Sequence, residues 1–176
     1  VEAANAGGHQ RLVCVAERRV GDEQTLFGQR PFREALRTEL EKHLAAGAKK
    51  VVLTVPAKDE IDAMIVLGAN DADLSPRHRL VSNASCTTNC LAPLARVLDE
   101  AFGIEEAFMT TIHAYTSSQS IVDSGGKDYR RGRAAAANLI PASTGAALAT
   151  TRALPELRGK FDGVAVRVPV AVGSLA

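Results

Sequence analysis

Cys86 stands in the run Asn83-Ala84-Ser85-Cys86-Thr87-Thr88-Asn89-Cys90, where an extended stretch (Leu80-Val81-Ser82-Asn83) gives way to a helical one. A thiol at a helix start lies among backbone N–H groups with no intrahelical partner, which favour the thiolate over the thiol. The thiolate is the nucleophile, so covalent chemistry would begin here. The competing reading is packing, because a free cysteine is commonly a small buried residue. His113 ends the strand-like run Ala107-Phe108-Met109-Thr110-Thr111-Ile112-His113. One crossover after the cysteine, it could meet Cys86 at one edge of a sheet, as the imidazole that takes or shuttles the thiol proton.

A second group of residues suits an anionic oxygen cluster. Lys127, Arg130, Arg131 and Arg133 crowd one irregular segment, and Thr144-Gly145 precedes a helix predicted over residues 146–153, with Ser143 or Thr144 as its cap. Guanidinium forks bind such a cluster bidentately, and helix N-terminal N–H groups reinforce them. Arg167 lies between Val166 and Val168, so a covered strand there would require an anionic partner for its charge. Each feature has a plainer counterpart: a packed histidine, a solvated charge run, an arginine pointing out of an edge strand. Cys86 and Cys90 are four residues apart, but neither has a further Cys or His at structural-zinc spacing, so no metal site is expected. Residue type and spacing alone describe a thiol enzyme acting on a phosphorylated substrate.

The elements that must position these groups are legible in part. Residues 11–16 read as a short buried strand that packs Cys14, and 17–31 as loop. Gly7-Gly8 is too little for a nucleotide-binding fingerprint. Leu36, Leu40 and Leu44 recur every four residues and predict a helix over 33–46, capped by Gly47. The β-branched run after Lys49-Lys50 is a strand ended by Pro56, making half of a parallel βαβ unit. Residues 63–68 are a further candidate strand, and 75–78 a turn into the strand that delivers Cys86. Leu91, Leu94, Ala95, Leu98, Ala101 and Phe102 mark one face of a helix stopped by Gly103, with Pro93 kinking it or confining its regular part to later residues. The 114–132 segment is long and irregular, a kind of loop that tends to be functional. Residues 163–170 form the last strand.

A chain of 176 residues makes one domain or two small ones. With 21 Lys and Arg against 20 Asp and Glu, no general basic surface calls for nucleic acid or membrane. No apolar run reaches spanning length, and no signal peptide is seen. Three cysteines, an odd number, do not close a disulfide set, and reduced thiols suggest the cytoplasm.

The run Ser82-Asn83-Ala84-Ser85-Cys86-Thr87-Thr88-Asn89-Cys90-Leu91-Ala92-Pro93 resembles the active-site signature of phosphorylating glyceraldehyde-3-phosphate dehydrogenases. Thr110-Thr111-Ile112-His113-Ala114-Tyr115-Thr116 is similar to that family's histidine strand, and Lys127-Asp128-Tyr129-Arg130-Arg131-Gly132-Arg133 to its phosphate-binding loop. Ile140-Pro141-Ala142-Ser143-Thr144-Gly145, Leu154-Pro155-Glu156-Leu157 and Val166-Arg167-Val168-Pro169 follow in the family's order, and Pro56-Ala57-Lys58 matches upstream. The likeness covers residues 40–169.

The resemblance implies an α/β fold: the remnant of a Rossmann-type NAD-binding domain (1–85) followed by a partial α+β catalytic domain (86–176). It implies that Cys86 attacks the aldehyde carbon of glyceraldehyde 3-phosphate, with His113 as base. Inorganic phosphate would then release 1,3-bisphosphoglycerate from the thioester. Ser85, Thr87, Arg131, Thr144 and Gly145 would line one anion site, and Thr116 with Arg167 the other. Thr54 and Ser117 would approach NAD, with NADP left open, and the family implies a homotetramer. Erythrose-4-phosphate dehydrogenase shares much of this motif set, but Tyr115-Thr116 and Thr144-Gly145-Ala146 fit the first activity more closely. Aspartate-semialdehyde dehydrogenase has a similar plan and lacks the double anion site. From another class comes a catalytically incompetent fragment that only associates with other chains. The family's glycine loop does not precede these motifs, Leu26-Phe27-Gly28-Gln29-Arg30-Pro31-Phe32 replaces an expected strand end, and Val170-Ala171-Val172-Gly173-Ser174 replaces a Thr-Pro-Asn-Val-type run. The chain, which opens on Val1, thus reads as the middle of an enzyme.

Overall fold

The computed structural model describes residues 12–15, 36–57, 59–125 and 128–176, with 12–15 and Leu36 described by backbone alone. The expectations for Gly7-Gly8, the 17–31 loop, the 33–35 helix start, Lys58, Lys127 and the side chain of Cys14 lie outside the described residues. The chain divides into two compact units, Val1–Pro93 and Leu94–Ala176.

In the first unit, β1 (Leu12–Val15), β2 (Lys50–Leu53), β3 (Ala63–Met64) and β4 (Leu80–Ser82) form an all-parallel sheet in the order β1-β2-β4-β3. Helix α1 (Leu36–Ala45) precedes β2. Its Leu40 joins Ala48, Val51, Leu53, Ala57 and Leu80 in one buried cluster, with Leu44 at its margin. Gly47 stops α1: at φ +97° it lets its own N–H reach Leu44 O and the Ala48 N–H reach His43 O. Asp62 pins the start of β4, its Oδ2 accepting the Arg79 and Leu80 N–H groups at 2.6 and 2.9 Å. Burial pushes that carboxyl up, but those N–H groups and the Arg37 charge outweigh it and hold its pKa below the ordinary carboxylate value.

The strand expected over 63–68 ends at Met64. Asn70 competes with the ladder: its Oδ1 accepts the Val66 N–H and its Nδ2 donates to Met64 O, closing a turn through Gly68 at φ +78°. Ile65 and Val66 beyond it are still buried, and the Ile65 N–H donates to Ser82 O at 2.8 Å.

Helix α2 (Cys86–Phe102) runs without interruption through Pro93, so its regular part is not confined to later residues. Its covered face is also rotated from expectation. Leu91, Ala92 and Ala95 are buried, whereas Leu94 and Leu98, which lie toward one side of that arc, are exposed, as is Phe102 at the last position of the helix. Gly103 ends it at φ +72°, with Asp99 Oδ1 accepting the Ile104 N–H.

The second unit is a mixed sheet of β5 (Ala107–Ala114), β6 (Ile140–Ala142), β7 (Phe161–Val168) and β8 (Ser174–Leu175), ordered β6-β7-β5-β8. Helix α3 (Ala146–Ala153) and a 3-10 turn (Pro155–Leu157) lie between β6 and β7, and α3 packs on β7. Strands β5 and β7 are parallel over eight residue pairs, from Ala107 opposite Phe161 to Ala114 opposite Val168. Paired residues share a sheet face. Met109 faces Gly163, whose absent side chain makes room for it: a Cβ there would sit 2.7 Å from Met109 Cε and 2.9 Å from Met109 O. Thr111 faces Ala165, and His113 faces Arg167, so the shared face grades from apolar to charged along the strands.

Three expectations are corrected here. β7 is an interior strand, so Arg167 does not point out of a sheet edge. The N-cap of α3 is Gly145 rather than Ser143 or Thr144, although the Thr144 hydroxyl still accepts the Ala146 N–H at 3.1 Å. Cys86 follows β4 and His113 lies on β5, strands of two different sheets, so they do not share one sheet edge.

Candidate active site

Cys86 is the first residue of α2, exposed, directly beyond the carboxyl end of β4. The turn that presents it is held from several sides. Asn83 continues the parallel ladder through its N–H to Leu53 O, and its Nδ2 donates to Ile65 O. Ser82 Oγ donates to Val55 O at 2.6 Å and accepts the Ala84 N–H. Ala84 is the one described non-glycine residue at positive φ, +57°. Ser85 caps the helix, its Oγ accepting the Thr88 N–H at 3.1 Å and sharing a 2.8 Å bond with Thr88 Oγ1. Asn89 reaches back to both Asn83 O and Ser85 O, at 2.7 and 2.9 Å. Thr87 is buried beside the cysteine. Thr54 is exposed just past β2, at the same carboxyl edge of the parallel sheet. That edge is where open parallel sheets bind dinucleotides.

In the second unit, His113 and Arg167 are directly paired across β5 and β7. Arg167 Nη1 donates to Ala114 O at 3.1 Å, and His113 Nε2 shares a 2.6 Å bond with the buried Thr111 hydroxyl, which also donates to Leu175 O. Burial first, and the Arg167 charge second, push the His113 pKa below its ordinary value of about 6.5. A neutral imidazole can accept a proton, so the ring stays competent as a base at lower pH than a free histidine. The sign for stability follows: the contribution is complete above the unfolded pKa and is lost as pH falls from there through the folded value. Proton NMR titration of the His113 ring is expected to give a pKa under 6.5 that rises part of the way back in Arg167→Met, since burial persists. A wild-type value at or above 6.5, or no rise, would contradict this account.

The 114–133 segment is irregular yet densely bonded. Buried Gln119 accepts the Thr116 N–H at 2.8 Å, and Thr116 Oγ1 lies 2.8 Å from Ser118 Oγ. Ser120 N–H donates to Arg131 O and Ser124 N–H to Gly132 O, tying the two arms of the segment together. Arg130 and Arg131 both approach Asp128, and Arg133 lies 3.1 Å from Asp123. Of these arginines, Arg131 is the least exposed and its Nε is buried. Thr144 and Gly145 precede α3, and because the Thr144 hydroxyl accepts a backbone N–H its own proton can still be donated. Ser117 is exposed beside Thr116.

The candidate residues therefore fall into two sets. Thr54, Ser85, Cys86 and Thr87 belong to the first unit, and His113, Thr116, Ser117, Arg131, Thr144, Gly145 and Arg167 to the second. Within the second, the strand register joins His113 to Arg167, and backbone bonds join the Arg131 arm to the residues after Thr116. Sequence reasoning passed over Asn89, Thr111 and Gln119. Thr111 carried a usable signal, since a residue two before His113 on a strand shares its face. Among the described residues, no group of His, Cys, Asp and Glu could hold a metal ion, and no helix is long and apolar enough to cross a membrane.

Residues 85–176, more than half of the chain, match the family described as glyceraldehyde 3-phosphate dehydrogenase, C-terminal domain. A glyceraldehyde-3-phosphate dehydrogenase of Streptomyces coelicolor is 58% identical over 139 residues, 78% of this chain and 41% of its own length. That of Borreliella burgdorferi is 63% identical over 130 residues, 74% of this chain and 38% of its own. That of Mycobacterium tuberculosis H37Rv is 58% identical over 133 residues, 76% and 39%. With its mixed α/β units and this match, the chain belongs to the glyceraldehyde-3-phosphate dehydrogenase family. It spans about two fifths of the length of these curated relatives.

Proposed function

We propose that the chain carries the chemistry of a cytoplasmic, phosphorylating glyceraldehyde-3-phosphate dehydrogenase that works as a homotetramer, with residues 1–85 on the dinucleotide side and 86–176 on the catalytic side. The observation that carries this reading is the Ser85-Cys86-Thr87 turn, an exposed thiol at the first position of a helix that follows a parallel strand. The Cys86 sulfur attacks the aldehyde carbon of glyceraldehyde 3-phosphate and forms a hemithioacetal. His113, kept neutral by burial and by Arg167, takes the hydroxyl proton as the carbon is oxidised to a thioester. Bound NAD supplies the hydride acceptor, with Thr54 and Ser117 as its contacts in this chain. Inorganic phosphate then breaks the C–S bond, releasing 1,3-bisphosphoglycerate and the thiol. Ser85, Thr87, Arg131, Thr144 and Gly145 bind one phosphoryl group, and Thr116 with Arg167 the other, through charge-assisted hydrogen bonds. The relatives' names favour glyceraldehyde 3-phosphate over erythrose 4-phosphate.

The acyl-transfer half needs no cofactor and offers a direct test. Incubation with 1,3-bisphosphoglycerate is expected to add one phosphoglyceryl group at Cys86, seen by intact mass and peptide mapping and removed by excess phosphate. With NAD and glyceraldehyde 3-phosphate, NADH should form only when phosphate is present. An adduct on another residue, or NADH formation indifferent to phosphate, would count against the reading.

A further inference from the structure

We infer that Asn89 is a positioning residue for the nucleophile, acting by holding Ala84 in the left-handed backbone conformation that sets Cys86 at the first position of α2. The inference rests on the reading of Cys86 as the nucleophile. Ala84 sits at φ +57°, a region that a residue with a Cβ rarely occupies and leaves when nothing holds it there. The Asn89 side-chain amide has two hydrogens, and its nitrogen donates to Asn83 O at 2.7 Å and to Ser85 O at 2.9 Å. Those carbonyls belong to the residues on either side of Ala84, so one amide group spans the strained residue like a staple. The Asn89 backbone N–H also donates to Ser85 O at 2.9 Å, which ties the staple to the first turn of the helix. Ser82 Oγ holds the Ala84 N–H, whereas the Asn89 amide bridges the carbonyls before and after it. Without the bridge, Ala84 relaxes toward negative φ, the turn before the helix opens, and Cys86 leaves the unpaired N–H groups of the first turn.

The test uses competition between two thiols of one helix, Cys86 and Cys90, both exposed. Iodoacetamide labelling near neutral pH is followed by peptide mass spectrometry, and the ratio of the two rates is compared in wild type, Asn89→Ala, Ala84→Gly and the double variant. Wild type is expected to label Cys86 faster. Asn89→Ala should lower the ratio by on the order of tenfold, the scale of the left-handed preference at a single alanine. Glycine reaches φ +57° without strain, so Ala84→Gly should keep the wild-type ratio, and the double variant should regain it. General loosening would expose both thiols alike and could not be repaired by glycine. An unchanged ratio in Asn89→Ala, or a double variant no better than Asn89→Ala, overturns the inference while leaving the nucleophile reading intact. Equal rates in wild type overturn the nucleophile reading itself and the inference with it. If Asn89→Ala does not fold, a double variant with the wild-type ratio supports the staple and one with a collapsed ratio refutes it.

Discussion

Cys86→Ser is expected to lower phosphate-dependent NADH formation by about a thousandfold or more while leaving the thermal midpoint nearly where it was. The first half of this expectation is chemical. A serine hydroxyl is a far weaker nucleophile than a thiol unless a base removes its proton in the same step, and the acyl-enzyme cannot form at a useful rate. The second half is structural. The turn is held by Ser82, Asn83, Ser85 and Asn89, and Cys86 is exposed, so exchanging sulfur for oxygen removes no bond on which the turn depends. Exposed substitutions away from such contacts stay within about 0.5 kcal/mol. The same variant should take up no phosphoglyceryl group from 1,3-bisphosphoglycerate at position 86. Residual activity within tenfold of wild type would remove Cys86 from the chemistry, and a large fall in the midpoint would mean that its role is packing after all.

That the thiol, the imidazole and the arginine segment stand out in the sequence as candidates has a physical reason. Each of them is a chemically distinctive side chain at the end of an element whose period is plain, such as the β-branched run into His113 or the leucines of α1. What escaped was carried by side chains that replace backbone bonding. Asn70 cuts β3 short by taking the Val66 N–H, an event with no trace in an apolar run. Asn89 and Gln119 act on carbonyls and N–H groups of residues several positions away, and nothing in their spacing announces it. A confinement of the regular part of α2 to residues after Pro93, one of the two effects expected of it, does not occur, because a proline removes one hydrogen bond and a neighbouring turn can carry the helix across it. The face of α2 was misjudged because leucines on adjacent arcs of a helix look alike until packing selects one. Arg167 was ambiguous because strand order, which makes β7 interior, is a long-range property.

The second large effect is expected at Gly132. A Cβ built there would lie 2.3 Å from Ser124 O and 3.4 Å from Tyr129 O, both backbone atoms that cannot swing aside as a side-chain tip can. Gly132 also accepts the Ser124 N–H at 2.8 Å and donates to Asp128 O at 3.1 Å. Gly132→Ala must therefore part the two arms of the 114–133 segment, and with them the bond from Ser120 N–H to Arg131 O. Overpacking of this kind costs about 1–3 kcal/mol. Because Arg131 moves with its arm, KM for glyceraldehyde 3-phosphate or phosphate should rise on the order of tenfold, the equivalent of one good charge-assisted hydrogen bond. Gly125→Ala is the control, since nothing lies within 4 Å of the Cβ it would add. Thermal unfolding and steady-state kinetics of the two variants check the expectation. If Gly132→Ala behaves like Gly125→Ala, the two arms are not held together by this close approach.

The pairing of β5 with β7 makes the spacing between imidazole and guanidinium a counted quantity rather than a tuned one. Strands slip only by whole residues, and a slip of one would send Arg167 to the opposite face from His113. Between the two lie 53 residues containing β6, α3, the 3-10 turn and the whole arginine segment. Insertions or deletions in those connections can change what the loops recognise, but the ladder from Ala107 to Ala114 reads out the same separation each time. The imidazole and its charged neighbour are thereby insulated from the part of the chain most free to vary.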